Sequence, residues 1–211
     1  MVAGTGDDRD FHLCAATGWD YNPPMENKPT LTIRPAGFSD AEAIFDLIRG
    51  FSKQLLSRPM SDIVKNIDRF IVCEISGKIS GAVSYAILPE IGAPQNPTVE
   101  IKSLCVGRKY QRTGVGSALV STAIGRIELL HPAQIIALTF SPEFFASLGF
   151  KVVPKEKLIH KIYAGCVNCS KYDSPLTCPE IAMALIKRPG IETPESKALK
   201  IRSPRKPTRR R

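Results

Sequence analysis

The chain has 211 residues, 43% of them hydrophobic, and a formal net charge of +9. That length fits one α/β domain with tails, and no stretch nears the roughly 18 consecutive apolar residues of a membrane span. Residues 187–211 carry a net of +8 and residues 1–29 a net of −3, which leaves +4 on the rest, so the basicity belongs to a tail and does not mark the folded part as a nucleic-acid surface.

Residues 1–29 mix Gly, Asp, Asn and Pro without a hydrophobic period and are expected to be a disordered leader. Leu31 to Arg34 alternates and predicts a strand. Ser39-Asp40-Ala41-Glu42 reads as a capping box, with Ser39 as N-cap, opening a helix on Ile44, Leu47, Ile48 and Phe51. Ser61-Asp62 caps a second helix whose apolar positions are Ile63, Ile67 and Phe70. Phe70–Ile75 and Ile79–Leu88 read as strands joined by a Ser76-Gly77-Lys78 turn. A Pro-rich loop over 89–97 precedes a strand over Val99–Val106.

From Gly114 onward Val115, Leu119, Ala123, Ile127 and Leu130 recur at helical spacing, and His131-Pro132 ends the run. Ile135–Phe140 reads as a strand, Pro142–Leu148 as a short helix and Phe150–Val153 as a further strand. Residues 187–211, rich in Pro, Lys and Arg, are expected to be a disordered tail. The folded domain is thus expected over 30–186, as a mixed α/β fold in three layers. No secretory signal is evident, so a cytoplasmic protein with its six cysteines reduced is expected.

The strongest local signal is Gln111-Arg112-Thr113-Gly114-Val115-Gly116, placed between a predicted strand and a predicted helix. Glycines there admit close approach to a ligand, and the unpaired N–H groups of a helix start suit a pyrophosphate. An ordinary glycine-containing turn has the same composition. The spacing matches neither the P-loop nor the dinucleotide fingerprint.

In this setting the chain resembles the GNAT superfamily of N-acetyltransferases. Leu104-Cys105-Val106 leading into Gln111-x-x-Gly114-x-Gly116 resembles the superfamily's coenzyme A loop. Phe144-Phe145-x-x-Leu148-Gly149-Phe150 resembles its helix and strand behind the acetyl site, and Ile33-Arg34-Pro35-Ala36 its first strand. A narrower resemblance is to short N-acetylglutamate synthases without the amino-acid-kinase-like domain. It rests on Phe70-Ile71-Val72, Glu100 to Leu104, Leu138-Thr139, Leu56-Ser57-Arg58 before the Ser-Asp-Ile helix start, and the Cys-x-x-Cys end followed by Glu180 to Met183.

This resemblance implies a mostly antiparallel central sheet flanked by helices, and transfer of the acetyl group of acetyl-CoA to the α-amine of L-glutamate, a step of arginine biosynthesis. It implies coenzyme contacts from Leu104, Cys105, Val106, Gln111, Arg112, Thr113, Gly114, Val115, Gly116 and Ser117. Many members have Tyr where this chain has Phe145, and Pro where it has Arg108.

Acetyl transfer needs a proton acceptor for the amine, donors for the thioester oxygen, help for the leaving sulfur and a held acceptor. Glu100, a carboxylate in an otherwise apolar strand, is the candidate base; pairing with Lys102 is the alternative. Plain alternation puts Glu100, Lys102 and Leu104 on one face. The superfamily's strand bulge implies oxyanion donors at the backbone N–H groups near Leu104 and Cys105. Ser141 is the candidate group at the leaving thiolate, and equally an N-cap. A glutamate acceptor calls for cations: Arg58 first, in the turn between helices where the synthases also place an Arg, then Lys102 and Lys161.

Cys166-Val-Asn-Cys169 with Cys178 has the spacing of a partial structural zinc site, with His160 as the nearest fourth ligand; a packed, reduced trio is the alternative. Competing functions are a GNAT enzyme acting on a protein, polyamine or other small amine, and a nucleic-acid-binding module using the basic tail. A membrane partner is not expected, and a homodimer is left open.

Overall fold

The computed structural model describes residues 31–88, 97–167, 169 and 171–185. The leader over 1–29, most of the Pro-rich loop and the tail over 187–211 therefore lie outside the described residues. Strand β1 (Leu31–Pro35) leads into helix α1 (Ala41–Arg49) and helix α2 (Met60–Lys65). Strands β2 (Phe70–Ile75), β3 (Lys78–Ile87) and β4 (Thr98–Val106) form the meander. Helix α3 (Val115–Glu128), strand β5 (Gln134–Thr139), helix α4 (Pro142–Ser147) and strands β6 (Phe150–Val152) and β7 (Ile181–Leu185) complete the order.

These strands make one seven-stranded sheet in the order β1-β2-β3-β4-β5-β7-β6. All neighbours are antiparallel except β4 and β5. Side chains alternate across it as strand geometry requires. Phe70 and Val72 of β2 join Ile44, Ile48 and Ile63 of α1 and α2 on one face. Ile71, Cys73 and Ile75 join Val115, Leu119, Ala123 and Ile127 of α3 on the other. The result is the three-layered, mostly antiparallel fold expected.

Several local details depart from the sequence reading. A 3-10 turn, Phe38–Asp40, precedes α1, and Ser39 is not its cap. Asp40 is already engaged: Gly37 N–H donates to its Oδ2 at 2.8 Å, and Arg34 donates to both oxygens at 2.7 and 3.0 Å. The second helix stops at Lys65, so of its three predicted apolar positions only Ile63 is in α2; Ile67 lies in a 3-10 turn and Phe70 opens β2. β7 enters the sheet between β5 and β6, an insertion that chain order alone does not reveal. Before it, a helical turn Ile159–Lys161 runs on as a π-helical turn, Ile162–Cys166.

The same topology opens the site. β4 and β5 pair only from Thr98↔Gln134 to Ile101↔Ala137. Beyond that β4 stays with β3 while β5 stays with β7, so the two parallel strands part toward their C-terminal ends. Ligands in such sheets commonly bind where neighbouring strands diverge.

Candidate active site

The parted strands and the start of α3 enclose a cavity of about 700 Å³. Lys102 to Val106 of β4 form one wall and Leu138 to Ser141 the other. Gln111, Arg112, Gly114, Gly116 and Ser117 close one end, with Phe144 and Phe145 behind. Of the ten residues expected at the coenzyme, eight line this space. Thr113 and Val115 do not: Thr113 Oγ1 donates to Tyr110 O at 2.7 Å, and the Val115 side chain is buried in the core.

The loop is held from within. Gln111 Nε2 donates to Val106 O at 3.0 Å and so ties it to the end of β4. Gly114 has φ +91, a left-handed conformation that glycine adopts at little cost. A Cβ built there would meet nothing within 4 Å. The first hydrogen bond of α3 runs from Ala118 N to Gly114 O, which leaves the N–H groups of Val115, Gly116 and Ser117 without intrahelical partners. A left-handed glycine, open space above it and three unpaired donors at the positive end of a 14-residue helix fit a pyrophosphate well.

On β4 the register with β3 shifts: Ala82 faces Cys105, whereas Ser84 faces Lys102. One residue of β3, Val83, thus opposes two of β4, Ser103 and Leu104, and Ser103 has φ +54. This is a bulge whose first residue is left-handed. The extra residue reverses the alternation beyond it. Leu104 packs with Val99, Ile101 and Val106 on the α3 side, so it does not share the face of Glu100 and Lys102 as plain alternation predicts.

The charged groups behind this wall are paired unequally. Glu100 is 5% exposed and lies off the cavity wall, with Lys161 Nζ 2.8 Å from Oε1 and 2.9 Å from Oε2. Its partner is therefore Lys161, not Lys102. Burial pushes the Lys161 ammonium toward neutrality, but the charge and hydrogen bond of Glu100 outweigh it and hold its pKa above the ordinary value. Arg58 is spent on Asp62, Ser84 and Ser103 and does not line the cavity. Lys102 lines it, and no carboxylate among the described residues lies within ion-pair distance of its Nζ. Burial is the main cause of its lowered pKa; Glu100 opposes the shift, while Lys161 and Arg58 add to it.

Ser141 lines the cavity and makes no side-chain capping bond to α4; its own N–H donates to Thr139 Oγ1 at 2.9 Å. Cys105 also lines the cavity, but burial pushes its thiol up to about 12. It stays protonated at neutral pH and is a poor nucleophile, which disfavours a covalent acetyl-cysteine route. Phe145 is edge-on to both Phe144 and Phe150 with centroids 5.2 Å apart, and brings no hydroxyl to the site. Thr139, Phe140, Phe144 and Glu180 line the cavity without having been named as site residues from sequence, although Thr139, Phe144 and Glu180 fall in motifs that carry the family resemblance.

Zinc is not supported. Among the described residues no group of three His, Cys, Asp or Glu side chains is placed to hold a metal, and the His160 side chain lies outside the description. Cys166, Cys169 and Cys178 are free thiols, and burial raises the pKa of Cys166 and Cys178. Cys178 Sγ sits 3.7 Å from Glu180 Oε2. Among the described residues no helix is long and apolar enough to cross a membrane.

Comparison with known proteins agrees with this geometry. A model of the acetyltransferase (GNAT) family matches residues 41–150. An uncharacterized N-acetyltransferase of Chlorobaculum tepidum is 29% identical over 153 residues, 72% of this chain and 93% of that one. An amino-acid acetyltransferase of Mycobacterium tuberculosis is 26% identical over 155 residues, 71% of this chain and 83% of that one. The fold resembles N-acetylglutamate synthase from Neisseria gonorrhoeae, solved with coenzyme A and N-acetyl-glutamate, at a TM-score of 0.59 and 21% identity, over 76% of this chain and 36% of that one.

Proposed function

The chain belongs to the acetyltransferase (GNAT) family, and from that premise we propose that it moves the acetyl group of acetyl-CoA onto the α-amine of L-glutamate, forming N-acetylglutamate for arginine biosynthesis. The observation that carries the acceptor class is Lys102, an ammonium on the cavity wall with no ion-pair partner among the described residues. A half-buried cation without a direct ion-pair partner is costly, and an acceptor carboxylate supplies one. A polyamine or lysine side chain would add charge of the same sign instead. The amino-acid acetyltransferase and N-acetylglutamate synthase among the similar proteins support the same class.

In this reading the N–H groups at the start of α3 hold the pyrophosphate, with Gly114 and Gly116 allowing its approach. The backbone N–H groups of Leu104 and Cys105, at the bulge, donate to the thioester oxygen as negative charge gathers there. Lys102 holds the acceptor carboxylate. Glu100 receives the amine's proton through a water, while Lys161 keeps that carboxylate in place. The Ser141 hydroxyl, free of a capping duty, donates to the departing sulfur.

Supplying the purified protein with acetyl-CoA and each of the twenty amino acids, spermidine and a lysine peptide tests the acceptor class. Glutamate is expected to give the highest kcat/KM, glutamine about tenfold less or lower, and spermidine and the peptide the least. A spermidine or peptide rate above that of every amino acid would reject the reading.

A further inference from the structure

We propose that Arg58 is a positioning residue that holds the β4 bulge in the shape offering its N–H groups to the thioester, and that it is not a ligand of the acceptor carboxylate. This inference rests on the acetyl-transfer reading above and concerns the same site. Arg58 Nη1 donates to Ser84 Oγ at 2.9 Å and to Ser103 Oγ at 3.1 Å. Those serines stand on the two strands that face each other across the bulge, where Ser84 pairs with Lys102. Ser84 Oγ in turn donates to Lys102 O at 3.3 Å, the carbonyl just before Ser103. One guanidinium nitrogen thus grips the bulge from both strands.

The guanidinium is itself fixed on its other sides. Nε donates to Asp62 Oδ2 at 2.6 Å, and Asn66 Nδ2 holds the other oxygen of Asp62 at 3.0 Å. The guanidinium carbon lies 5.0 Å from the centroid of the Phe70 ring. The side chain is 11% exposed and is not among the residues lining the cavity. A two-nitrogen fork onto a substrate carboxylate would have to use Nε or Nη1, and both are committed.

The bulge has reason to need a brace. A left-handed first residue is ordinarily glycine, because a Cβ disfavours that conformation. Here it is Ser103, at φ +54. Non-glycine residues persist there when their surroundings over-determine them, and a hydrogen bond from a fixed arginine to the serine's own hydroxyl does so. Leu104 and Cys105 follow directly, so any relaxation of Ser103 re-aims their N–H groups. Positioning errors of this size are felt in the chemical step.

The test compares Arg58→Gln, Arg58→Lys, Ser103→Ala and the Arg58→Gln/Ser103→Ala double variant, with kcat and KM measured for glutamate and glutamine at saturating acetyl-CoA. Arg58→Gln is expected to lower kcat about tenfold with both acceptors while KM for glutamate stays within about twofold. Ser103→Ala should lower kcat several-fold. The double variant should lose no more than Arg58→Gln alone, because both changes release one contact. Arg58→Lys should recover part of kcat, since one ammonium still reaches the two hydroxyls.

A large rise in KM for glutamate but not glutamine, with a silent Ser103→Ala, would overturn the proposal and return Arg58 to the carboxylate. Lowered melting temperatures with unchanged kcat would overturn it in favour of a purely structural role. A parent protein that acetylates no amine overturns the acetyl-transfer reading and this proposal with it, and that failure is seen before any variant is made.

Discussion

A folded Gly114→Val protein is expected to bind acetyl-CoA about ten- to a hundredfold more weakly than its parent. At φ +91 a β-branched residue is strained, at a cost on the order of 1–3 kcal/mol. Relaxing that strain rotates the backbone that aims the N–H groups of Val115, Gly116 and Ser117. If the loop instead keeps its shape, the valine branches stand in the open space above Gly114, where nothing lies within 4 Å. Either outcome works against a pyrophosphate. Gly125 is the control: it lies exposed within α3, and a Cβ there also meets nothing within 4 Å. Gly125→Ala should leave affinity unchanged and stabilise the helix by up to about 1 kcal/mol. Calorimetric titration of acetyl-CoA into both variants checks this, and equal affinity for parent and Gly114→Val would remove the loop from the coenzyme site.

Lys102→Met is expected to lower kcat/KM for glutamate by about one to three decades, because removing one partner of a desolvated charge pair costs on the order of 2–5 kcal/mol. Acetyl-CoA affinity should hardly change, and glutamate and glutamine should converge in rate. The pH dependence follows from the lowered pKa of Lys102 in the free protein. A bound carboxylate favours the ammonium, so the pKa is higher in the complex than in the free protein. Between those two values binding takes up a proton, and glutamate affinity falls as pH rises through that window. Below both values the lysine is charged in either state and contributes no pH dependence.

The stability sign is opposite to that of an ordinary ion pair. Between the lowered folded value and the ordinary lysine value, the unfolded chain binds more protons, so stability rises with pH there. At neutral pH Lys102 therefore costs stability, and Lys102→Met should melt higher while working less well. A variant that melts lower and keeps its glutamate preference would place the acceptor carboxylate elsewhere.

The loop before α3 was legible in sequence because its parts are local. Gln111 to Gly116 lies between a strand and a helix, and the structure builds both. The charged groups along β4 were less legible because their pairings are long-range. Glu100 meets Lys161 from 61 residues away, and no spacing rule links an ion pair over that distance. The bulge carried no residue signature either: Ser103 stands where glycine would have announced it, and its brace, Arg58, lies 45 residues earlier. The resemblance implied a bulge near Leu104 and Cys105, but with no residue to mark it, plain alternation misplaced Leu104. The capping box at Ser39 had the right residue types, but the capping contact forms two residues earlier, where Gly37 caps the 3-10 turn and donates its N–H to Asp40, which then stands as the N-cap of α1. The cysteine spacing suggested a metal, whereas the fold leaves the three thiols free.

The most direct measurement of the central claim is a single incubation of the purified protein with acetyl-CoA and L-glutamate, following free coenzyme A thiol while mass spectrometry identifies the product. Thiol release is expected to depend on glutamate and to match N-acetylglutamate mole for mole. Thiol release indifferent to glutamate, or glutamate returned unmodified, would contradict it.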